Sequence, residues 1–245
     1  MDKISVLLLT GQNNHDWKRS SYFCRDIMNE SGRFSVTLAE HPTESLEDET
    51  SLAQYQLFFV DYNGPEWSSR AKVNYENAVR GGIGVVILHA ANNMRGWIEF
   101  EKQCGLVWEK DKSGHSNYHE FKVAIDDKSH PVTRGLDDFL IWDELYHRLV
   151  NPHDTRVHVL ASALSDPAQN GTGTREPMAT TTQYGAGRVY NHILGHVWRE
   201  GVFKNYEGEK MRTFENKAFQ RLLLRGCEWA ATGTVTEAIN RRGVT

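Results

Sequence analysis

Residues 84–89 of the chain, GVVILH, are a short apolar run that ends in a histidine. Upstream, Ala71 to Arg80 has helical spacing, and residues 57–62, LFFVDY, form another apolar run that Asn63-Gly64-Pro65 stops. Apolar runs of this length between turn residues are typical of strands that are buried on both faces of a parallel sheet. This strand–helix–strand unit therefore predicts an α/β fold.

The N-terminal region extends the same pattern. Residues 4–10, ISVLLLT, predict another buried strand, and a helix from about Lys18 to Glu30 follows it. Residues 34–39 alternate between apolar and polar side chains, which indicates an edge or near-edge strand. Four strands that alternate with helices before residue 90 predict a doubly wound parallel sheet.

The later part of the chain predicts additions to this sheet. Apolar runs predict strands at residues 121–125, 156–161, 177–182 and 187–194. The four residues between the last two runs are a turn-like spacer, which favours an antiparallel pair. A helix from about Asn216 to Thr232 closes the pattern, and no internal repeat or linker divides the chain. We therefore expect one domain over residues 1–245.

Composition excludes several classes of protein. The chain has 28 Lys and Arg against 32 Asp and Glu, a formal charge of −4, so it lacks the basic surface that nucleic acids require. No apolar run approaches the roughly 20 residues that span a bilayer. The first residues also lack the pattern of a signal peptide, so a cytoplasmic protein is expected. Three widely spaced cysteines fit neither a disulfide framework nor a cysteine-rich zinc site.

Polar and aromatic residues recur where the predicted strands end. In an open parallel sheet the ligand cleft lies beyond the carboxyl ends of the strands, so these residues should converge on one edge. We expect His89 and His196 to act there as acid–base catalysts. The residues expected to contact the substrate are His15, Asn63, Trp67, Asn92 and Trp198.

A second group of candidates is residues 142–147, WDELYH. If this segment is helical, Glu144 and His147 face the same way, whereas in a strand they point to opposite sides. They can serve acid–base catalysis or bind a metal, and a solvated charge cluster is the alternative. His115 and His119 offer another pair of metal ligands if their polar segment forms a helical turn. The cofactor stays unknown, with a divalent metal as one option.

Several segments together resemble the trehalose-utilisation ThuA-like proteins. The matching segments lie in the right order across nearly the whole chain: residues 57–67, 80–92 (RGGIGVVILHAAN), 130–149 (HPVTRGLDDFLIWDELYHRL), 176–178, 184–196 (YGAGRVYNHILGH) and 224–233. The resemblance implies a flavodoxin-like fold of the class I glutamine amidotransferase type. That fold has a mainly parallel sheet with helices on both faces, here with some antiparallel additions.

The resemblance also argues against amidotransferase activity. In a glutamine amidotransferase the fourth strand ends in a sharp turn that carries the nucleophilic cysteine, and a late strand end carries its histidine partner. Here the corresponding turn holds His89, and His196 stands at the partner position. A chain without a thiol at this turn cannot form the glutamyl thioester, so we expect no amidotransferase activity.

The function that the resemblance implies is disaccharide uptake and catabolism, alongside dehydrogenases that make 3-keto sugars. A ketone acidifies the adjacent C–H bond, so a base with an electrophile on the oxygen can drive isomerisation, elimination or hydrolysis. We therefore expect a small carbohydrate partner, and neither nucleic acid nor membrane. The alternatives are a non-catalytic carbohydrate-binding or regulatory protein and a metal-dependent hydrolase. The sequence is also compatible with a homo-oligomer.

Overall fold

The structure is a computed structural model that describes residues 2–94, 96–199 and 211–236. Nine strands in these residues form one continuous sheet. The strands are β1 (Ile4–Leu9), β2 (Phe34–Ala39), β3 (Leu57–Val60), β4 (Gly84–Leu88), β5 (Gly114–Ile125), β6 (Phe139–His147), β7 (His158–Leu164), β8 (Arg175–Tyr184) and β9 (Gly187–His192). The helices are α1 (Trp17–Glu30), α2 (Pro42–Glu47), α3 (Glu49–Leu52), α4 (Ser69–Arg80), α5 (Ile98–Cys104), α6 (Arg212–Glu215) and α7 (Lys217–Thr232), with 3₁₀ turns at His89–Asn93 and Pro167–Gln169.

The strand order is β2-β1-β3-β4-β9-β8-β7-β5-β6. The first five strands of this order pair in parallel, and the last four are added by antiparallel pairings. The predicted flavodoxin-like class with antiparallel additions is confirmed, and β2 is the edge strand that its alternation indicated. Because β1, β3, β4 and β9 run the same way, their carboxyl ends meet at one edge of the sheet.

The two faces of the parallel strands pack against different helices. Val6, Leu8 and Phe59 face α1 and α7, where Met28 and Phe219 lie in the same core cluster. The intervening residues of β1 and β3, such as Leu7 and Phe58, face α4 and α5 and pack with Tyr75 and Phe100. This alternation explains why the strands read as unbroken apolar runs, since both faces exclude water.

The antiparallel half differs most from the sequence expectations. The His115–His119 segment is part of β5 rather than a loop or helical turn, and a register irregularity interrupts its pairing with β6 between His115 and Tyr118. That irregularity breaks the two-residue alternation by which a strand is recognised. The segment 139–147 is extended, which settles the open choice between helix and strand. The short helices α2 and α3 were not predicted, whereas α5 ends at Cys104, before Gly105, where a helix end was expected.

Among the described residues, no helix combines the length and the apolar character that crossing a membrane requires.

Candidate functional site

A polar pocket of about 390 Å³ opens at the carboxyl ends of the parallel strands. Its size falls within the range of small-molecule sites, about 300–1,000 Å³. Segments after β1, β3, β4 and β9 contribute to its walls, together with β5 and β6. The lining residues are Asn14, His15, Asn63, Ala90, Asn92, Asn93, Trp108, His115, Glu144, Tyr146, His196, Val197, Trp198 and Arg199.

Three buried histidines meet at the floor of this pocket. Within the described residues, His15, His89 and His196 each offer one ring nitrogen, and these three nitrogens lie within 4.8 Å of one another. His15 Nε2 is 2.9 Å from His196 Nδ1. The ring centroid of His15 lies 4.9 Å from that of His89 and 4.6 Å from that of His196. We refer to these three side chains as the histidine cluster.

His89 occupies the sharp turn directly after β4. Its φ of 44° lies in the left-handed region, which few non-glycine residues adopt. Its ring stacks on Tyr146 at a centroid distance of 4.0 Å, and its Nδ1 lies 2.6 Å from the Ile193 carbonyl oxygen. A carbonyl oxygen only accepts, so Nδ1 carries the proton and Nε2 presents a lone pair in the neutral ring. His89 therefore lies beneath the lining residues, with its position fixed from two sides.

His15 is oriented by a chain of polar contacts from the core. Asp61, which directly follows β3, accepts hydrogen bonds from Ser20 and Ser21 and from the Asn13 amide at 2.9 Å. With its amide N–H on Asp61, Asn13 turns its oxygen toward the backbone N–H of His15 at 3.0 Å and His15 Nδ1 at 3.3 Å. The Asn14 amide oxygen lies closer still to His15 Nδ1, at 3.1 Å, and these acceptors place the His15 proton on Nδ1 and leave Nε2 as an acceptor.

Burial controls the charge of these groups. It lowers the pKa of His15 and of His89 well below the usual histidine value, with a further contribution from the neighbouring histidines. Both rings are therefore neutral near pH 7. Burial also raises the pKa of Asp61 to about 6, against the opposing effect of its hydrogen-bond donors.

Glu144 brings a carboxylate to the cluster from β6. Its Oε2 lies 3.0 Å from His196 Nδ1 and 3.4 Å from His115 Nδ1, and the residue is only 7% exposed. The adjacent Asp143 points the other way and accepts hydrogen bonds from the backbone N–H groups of Gly195 and His196 at 2.7 and 3.0 Å. Burial raises the pKa of Asp143 to about 7, although these donors favour its charged form. Neighbouring residues of β6 thus supply one pocket carboxylate and one that holds the His196 backbone.

Polar amides and aromatic rings complete the pocket wall. Asn92 is 3% exposed, and among the described residues neither atom of its amide has a hydrogen-bond partner. The same holds for the amide oxygen of Asn93, and such buried polar atoms usually have partners. Trp198 packs on His196 at a centroid distance of 4.0 Å, and Trp108 packs on Tyr146 at 4.8 Å. The wall therefore offers hydrogen-bonding groups beside flat apolar surfaces.

The structure brings most of the predicted site residues to this one pocket. Predicted residues that line it are His15, Asn63, Asn92, Glu144, His196 and Trp198, with His89 below its floor. Asn63 also donates from its amide to the Asn14 side chain at 2.8 Å. The shared strand edge, inferred from parallel strand direction, accounts for this convergence.

Two predicted site residues lie elsewhere. His147 does not face the pocket, because β6 is extended and Glu144 and His147 point to opposite faces; its Nε2 lies 3.2 Å from the Asn170 carbonyl oxygen. Trp67 is buried in an aromatic cluster with Tyr75 and Trp97, at centroid distances of 5.6 and 5.3 Å. Its large apolar surface belongs to the core beside the pocket. His115 and His119 do not form a metal pair either, since only His115 reaches Glu144.

Several pocket residues were missed from the sequence, and His115 was considered only as a metal ligand on a helical turn. Tyr146 and His115 face the pocket because they occupy paired positions on β6 and β5. The alternation of Glu144 and Tyr146 would have indicated this face had the segment been assigned as a strand. Trp108, Asn14, Asn93 and Arg199 lie in irregular segments, which carry no periodic signal. Arg199 donates to the Asn13 carbonyl oxygen, beside His15.

The three cysteines are remote from this chemistry. Cys24, Cys104 and Cys227 are all fully buried, and none lines the pocket. Burial raises the pKa of each thiol, which disfavours the nucleophilic thiolate.

Comparisons with known proteins agree with this architecture. The ThuA family model, described as trehalose utilisation, matches residues 5–230. A ThuA-like protein from Parabacteroides merdae is 35% identical and superposes with a TM-score of 0.84, over 96% of this chain and 92% of its own. A comparison with curated proteins gives no significant match.

More distant structures share the fold alone. A ThuA-like protein from Bacteroides uniformis is 16% identical with a TM-score of 0.71, over 97% of this chain and 96% of its own. A glutamine amidotransferase from Thermotoga maritima is 12% identical with a TM-score of 0.53, over 95% of this chain and all of its own. The chain thus shares its fold both with a second ThuA-like protein and with a glutamine amidotransferase.

Proposed function

The chain belongs to the ThuA family of trehalose-utilisation proteins, and on that premise we propose that its pocket catalyses proton transfer on a keto sugar derived from a disaccharide. The reaction is an isomerisation, elimination or hydrolysis that begins at a carbon next to a ketone. The observation that carries the proposal is the contact of Glu144 Oε2 with His196 Nδ1 at 3.0 Å, between two buried residues that line the pocket.

Glu144 is suited to remove the proton. It is a largely buried carboxylate on a rigid strand, and the His196 and His115 rings fix its orientation. In the first step the C–H bond beside the ketone breaks and the proton moves to Glu144. The electron pair forms a C=C bond, and the ketone oxygen becomes an enolate oxygen. A positioned base of this kind contributes roughly 10²–10⁴-fold to a rate.

The later fate of the enolate decides the reaction class. Return of the proton to the other face or the other carbon gives an isomerisation, and loss of a leaving group from the next carbon gives an elimination. Polar groups at the pocket floor must stabilise the enolate oxygen in each case, because charge that develops in a buried site needs preorganised partners. The histidine cluster lies at that floor, and because His15 and His89 present unprotonated Nε2 atoms, the positive charge that stabilises the enolate oxygen has to be held between these rings.

The pocket wall supports a carbohydrate as the substrate. Sugar hydroxyls both donate and accept hydrogen bonds, which matches the two unpartnered amide atoms of Asn92 and the amide oxygen of Asn93. Trp108 and Trp198 provide flat apolar surfaces of the kind that pack against sugar rings.

Glutamine amidotransfer is not part of this proposal. The turn after β4 holds His89, whereas thioester chemistry needs a thiolate there. The three thiols of the chain are buried at other places.

Deuterium exchange tests the shared first step. The purified full chain is incubated in D₂O with 3-ketotrehalose and with a 3-keto glucoside, and NMR follows the protons on the carbons that flank the ketone. We expect enzyme-dependent exchange or product formation, reduced roughly 10²–10⁴-fold in Glu144→Gln. Trehalose, which has no ketone, should show no exchange.

Glu120→Gln is the matched control, because Glu120 lies on β5 outside the pocket, where its carboxylate accepts a hydrogen bond from the Trp142 indole. This variant should retain the wild-type rate. Saturable binding of the sugars without any exchange or product would contradict the proposal and favour the binding-protein alternative. Equal rates in Glu144→Gln and wild type would remove Glu144 from the mechanism.

A further inference from the structure

We infer that His15, His89 and His196 form a binding site for one divalent transition-metal ion, with Glu144 facing the ion. This inference deepens the proposed function, because it rests on the same pocket and names the group that stabilises the enolate oxygen.

The ring nitrogens of the histidine cluster face one another. His89 donates from Nδ1 to the Ile193 carbonyl oxygen, and His15 Nδ1 faces the amide oxygens of Asn14 at 3.1 Å and Asn13 at 3.3 Å, so both rings present an unprotonated Nε2. No hydrogen-bond partner for His89 Nε2 is found among the described residues, although the atom is buried. Buried imidazole lone pairs that converge on one point repel one another unless a proton or a cation lies between them.

A single proton cannot satisfy the cluster. His196 Nδ1 lies 2.9 Å from His15 Nε2 and also 3.0 Å from Glu144 Oε2, and one N–H group can point directly at only one of these two acceptors. The separation of about 3 Å between the His15 and His196 nitrogens is close to that expected between neighbouring ligand atoms around an ion with bonds of roughly 2.1 Å, and the His89 nitrogen lies within 4.8 Å of both. A cation at the centre interacts favourably with all of these atoms at once.

Two of the three rings are held by a hydrogen bond from the nitrogen that faces away from the cluster. Ligand histidines in metal sites almost always donate their other N–H to a carbonyl or carboxylate oxygen, which fixes the tautomer. His89 has the Ile193 carbonyl, held 2.6 Å away. His15 Nδ1 has two amide oxygens, that of Asn14 at 3.1 Å and that of Asn13 at 3.3 Å, and Asp61 fixes the Asn13 amide in turn. The chain thus builds the outer layer of a metal site at two of its three imidazoles.

The donor set also selects the kind of ion. Imidazole nitrogens suit Zn²⁺ and its first-row neighbours, while Mg²⁺ and Ca²⁺ prefer oxygen ligands. Three histidines leave coordination positions open for a substrate oxygen, as in catalytic rather than structural zinc sites. An ion here would polarise the ketone oxygen while Glu144 removes the neighbouring proton.

Metal titration of the full chain tests this inference directly. The protein is treated with a chelator, dialysed and titrated by calorimetry with Zn²⁺, Co²⁺ and Mg²⁺ separately. We expect one Zn²⁺ per chain, similar binding of Co²⁺ with a visible absorption band, and no comparable binding of Mg²⁺. His89→Asn and His15→Asn should each weaken Zn²⁺ binding by more than about 100-fold, since changes behind a ligand already cost 10–100-fold.

The variants are chosen to keep the fold. Asparagine tolerates the positive φ of residue 89 and can still donate to Ile193. His158→Asn is the matched control, because His158 is exposed on β7 and pairs with Asp127 at 3.1 Å. Asn13→Ala removes the oxygen that holds the His15 backbone N–H and one of the two amide oxygens beside its Nδ1, so it should weaken Zn²⁺ binding about tenfold without removing a ligand.

The outcomes separate this inference from the proposed function. Absence of stoichiometric Zn²⁺ binding, or binding that His89→Asn and His15→Asn leave unchanged, would overturn the metal site even if Glu144-dependent deuterium exchange persists. Zn²⁺ bound at the cluster without any exchange on keto sugars would support the metal site and overturn the proposed reaction.

Discussion

Gly195 connects β9 to His196, and its replacement by alanine should disturb the histidine cluster from the backbone. Its φ of 139° is a conformation that residues with a side chain rarely adopt. A Cβ at this position would lie 3.1 Å from the His89 Cβ and 3.1 Å from a Leu88 methyl carbon. Its N–H also donates to Asp143 at 2.7 Å. Gly195→Ala therefore combines backbone strain with overpacking against the turn that holds His89.

The magnitude follows from these two effects. An unfavourable backbone conformation costs about 1–3 kcal/mol, and overpacking of a close contact costs about 1–3 kcal/mol. The smaller entropy of the unfolded alanine chain returns about 0.4–1 kcal/mol. We expect the free energy of unfolding to fall by roughly 3 kcal/mol. The deuterium-exchange rate should fall at least about tenfold, because small displacements of reacting groups are costly.

Gly135→Ala separates strain from contact. Gly135 also has a positive φ, 73°, but a Cβ there would meet no atom within 4 Å. This control should lose only about 1 kcal/mol, because it carries the backbone term alone. Urea unfolding and the exchange assay are measured on both variants. If Gly195→Ala matches Gly135→Ala in stability and keeps the wild-type exchange rate, the turn does not hold His89 in the way described.

Three further predictions concern pH, sugar binding and thiols. Burial lowers the pKa of His192 to about 3, while the unfolded chain keeps the usual value of about 6.5. The folded protein is therefore most stable, as far as His192 is concerned, above about pH 6.5, and the free energy of unfolding falls as the pH drops below that value. Between pH 7 and 5, urea unfolding should show wild type losing about 2 kcal/mol more than His192→Phe, and parallel curves would contradict this. Trp108→Ala should weaken calorimetric sugar binding by about 1 kcal/mol, roughly fivefold, and unchanged affinity would exclude stacking there. Replacing Cys24, Cys104 and Cys227 together with alanine should lower the melting temperature but leave sugar binding intact. Loss of binding in a folded triple variant would implicate a thiol.

The sequence was sufficient to predict the parallel half of the sheet. β1, β3 and β4 are covered on both faces, so nearly every residue of these strands is apolar and each strand appears in the sequence as an unbroken apolar run. Strand direction then placed His89 and His196 at one edge without knowledge of any contact. The same rule does not give the depth of a side chain, so it could not show that His89 lies beneath the pocket.

The antiparallel half was less readable because its signals compete. A polar segment around His115 has low strand propensity, and the register shift in β5 disrupts its alternation. Glu144 and His147 could be placed on one face or on two until the conformation of β6 was known. Trp67 follows a strand end in the sequence, but its neighbours Tyr75 and Trp97 come from helix α4 and from just before α5. A single sequence does not reveal such distant packing.

The turn after β4 shows how one fold can carry different chemistry. A residue forced to a positive φ at the end of a buried strand projects its side chain to a defined place, whichever side chain it is. A thiol there is a nucleophile, whereas the imidazole of His89 is held by Ile193 and presents one lone pair to two other histidines. The His89 side chain therefore contacts the histidine cluster and does not extend to a substrate carbon in the pocket. Reaction type in this fold thus depends on the few residues at the strand ends, and the backbone frame alone does not determine it.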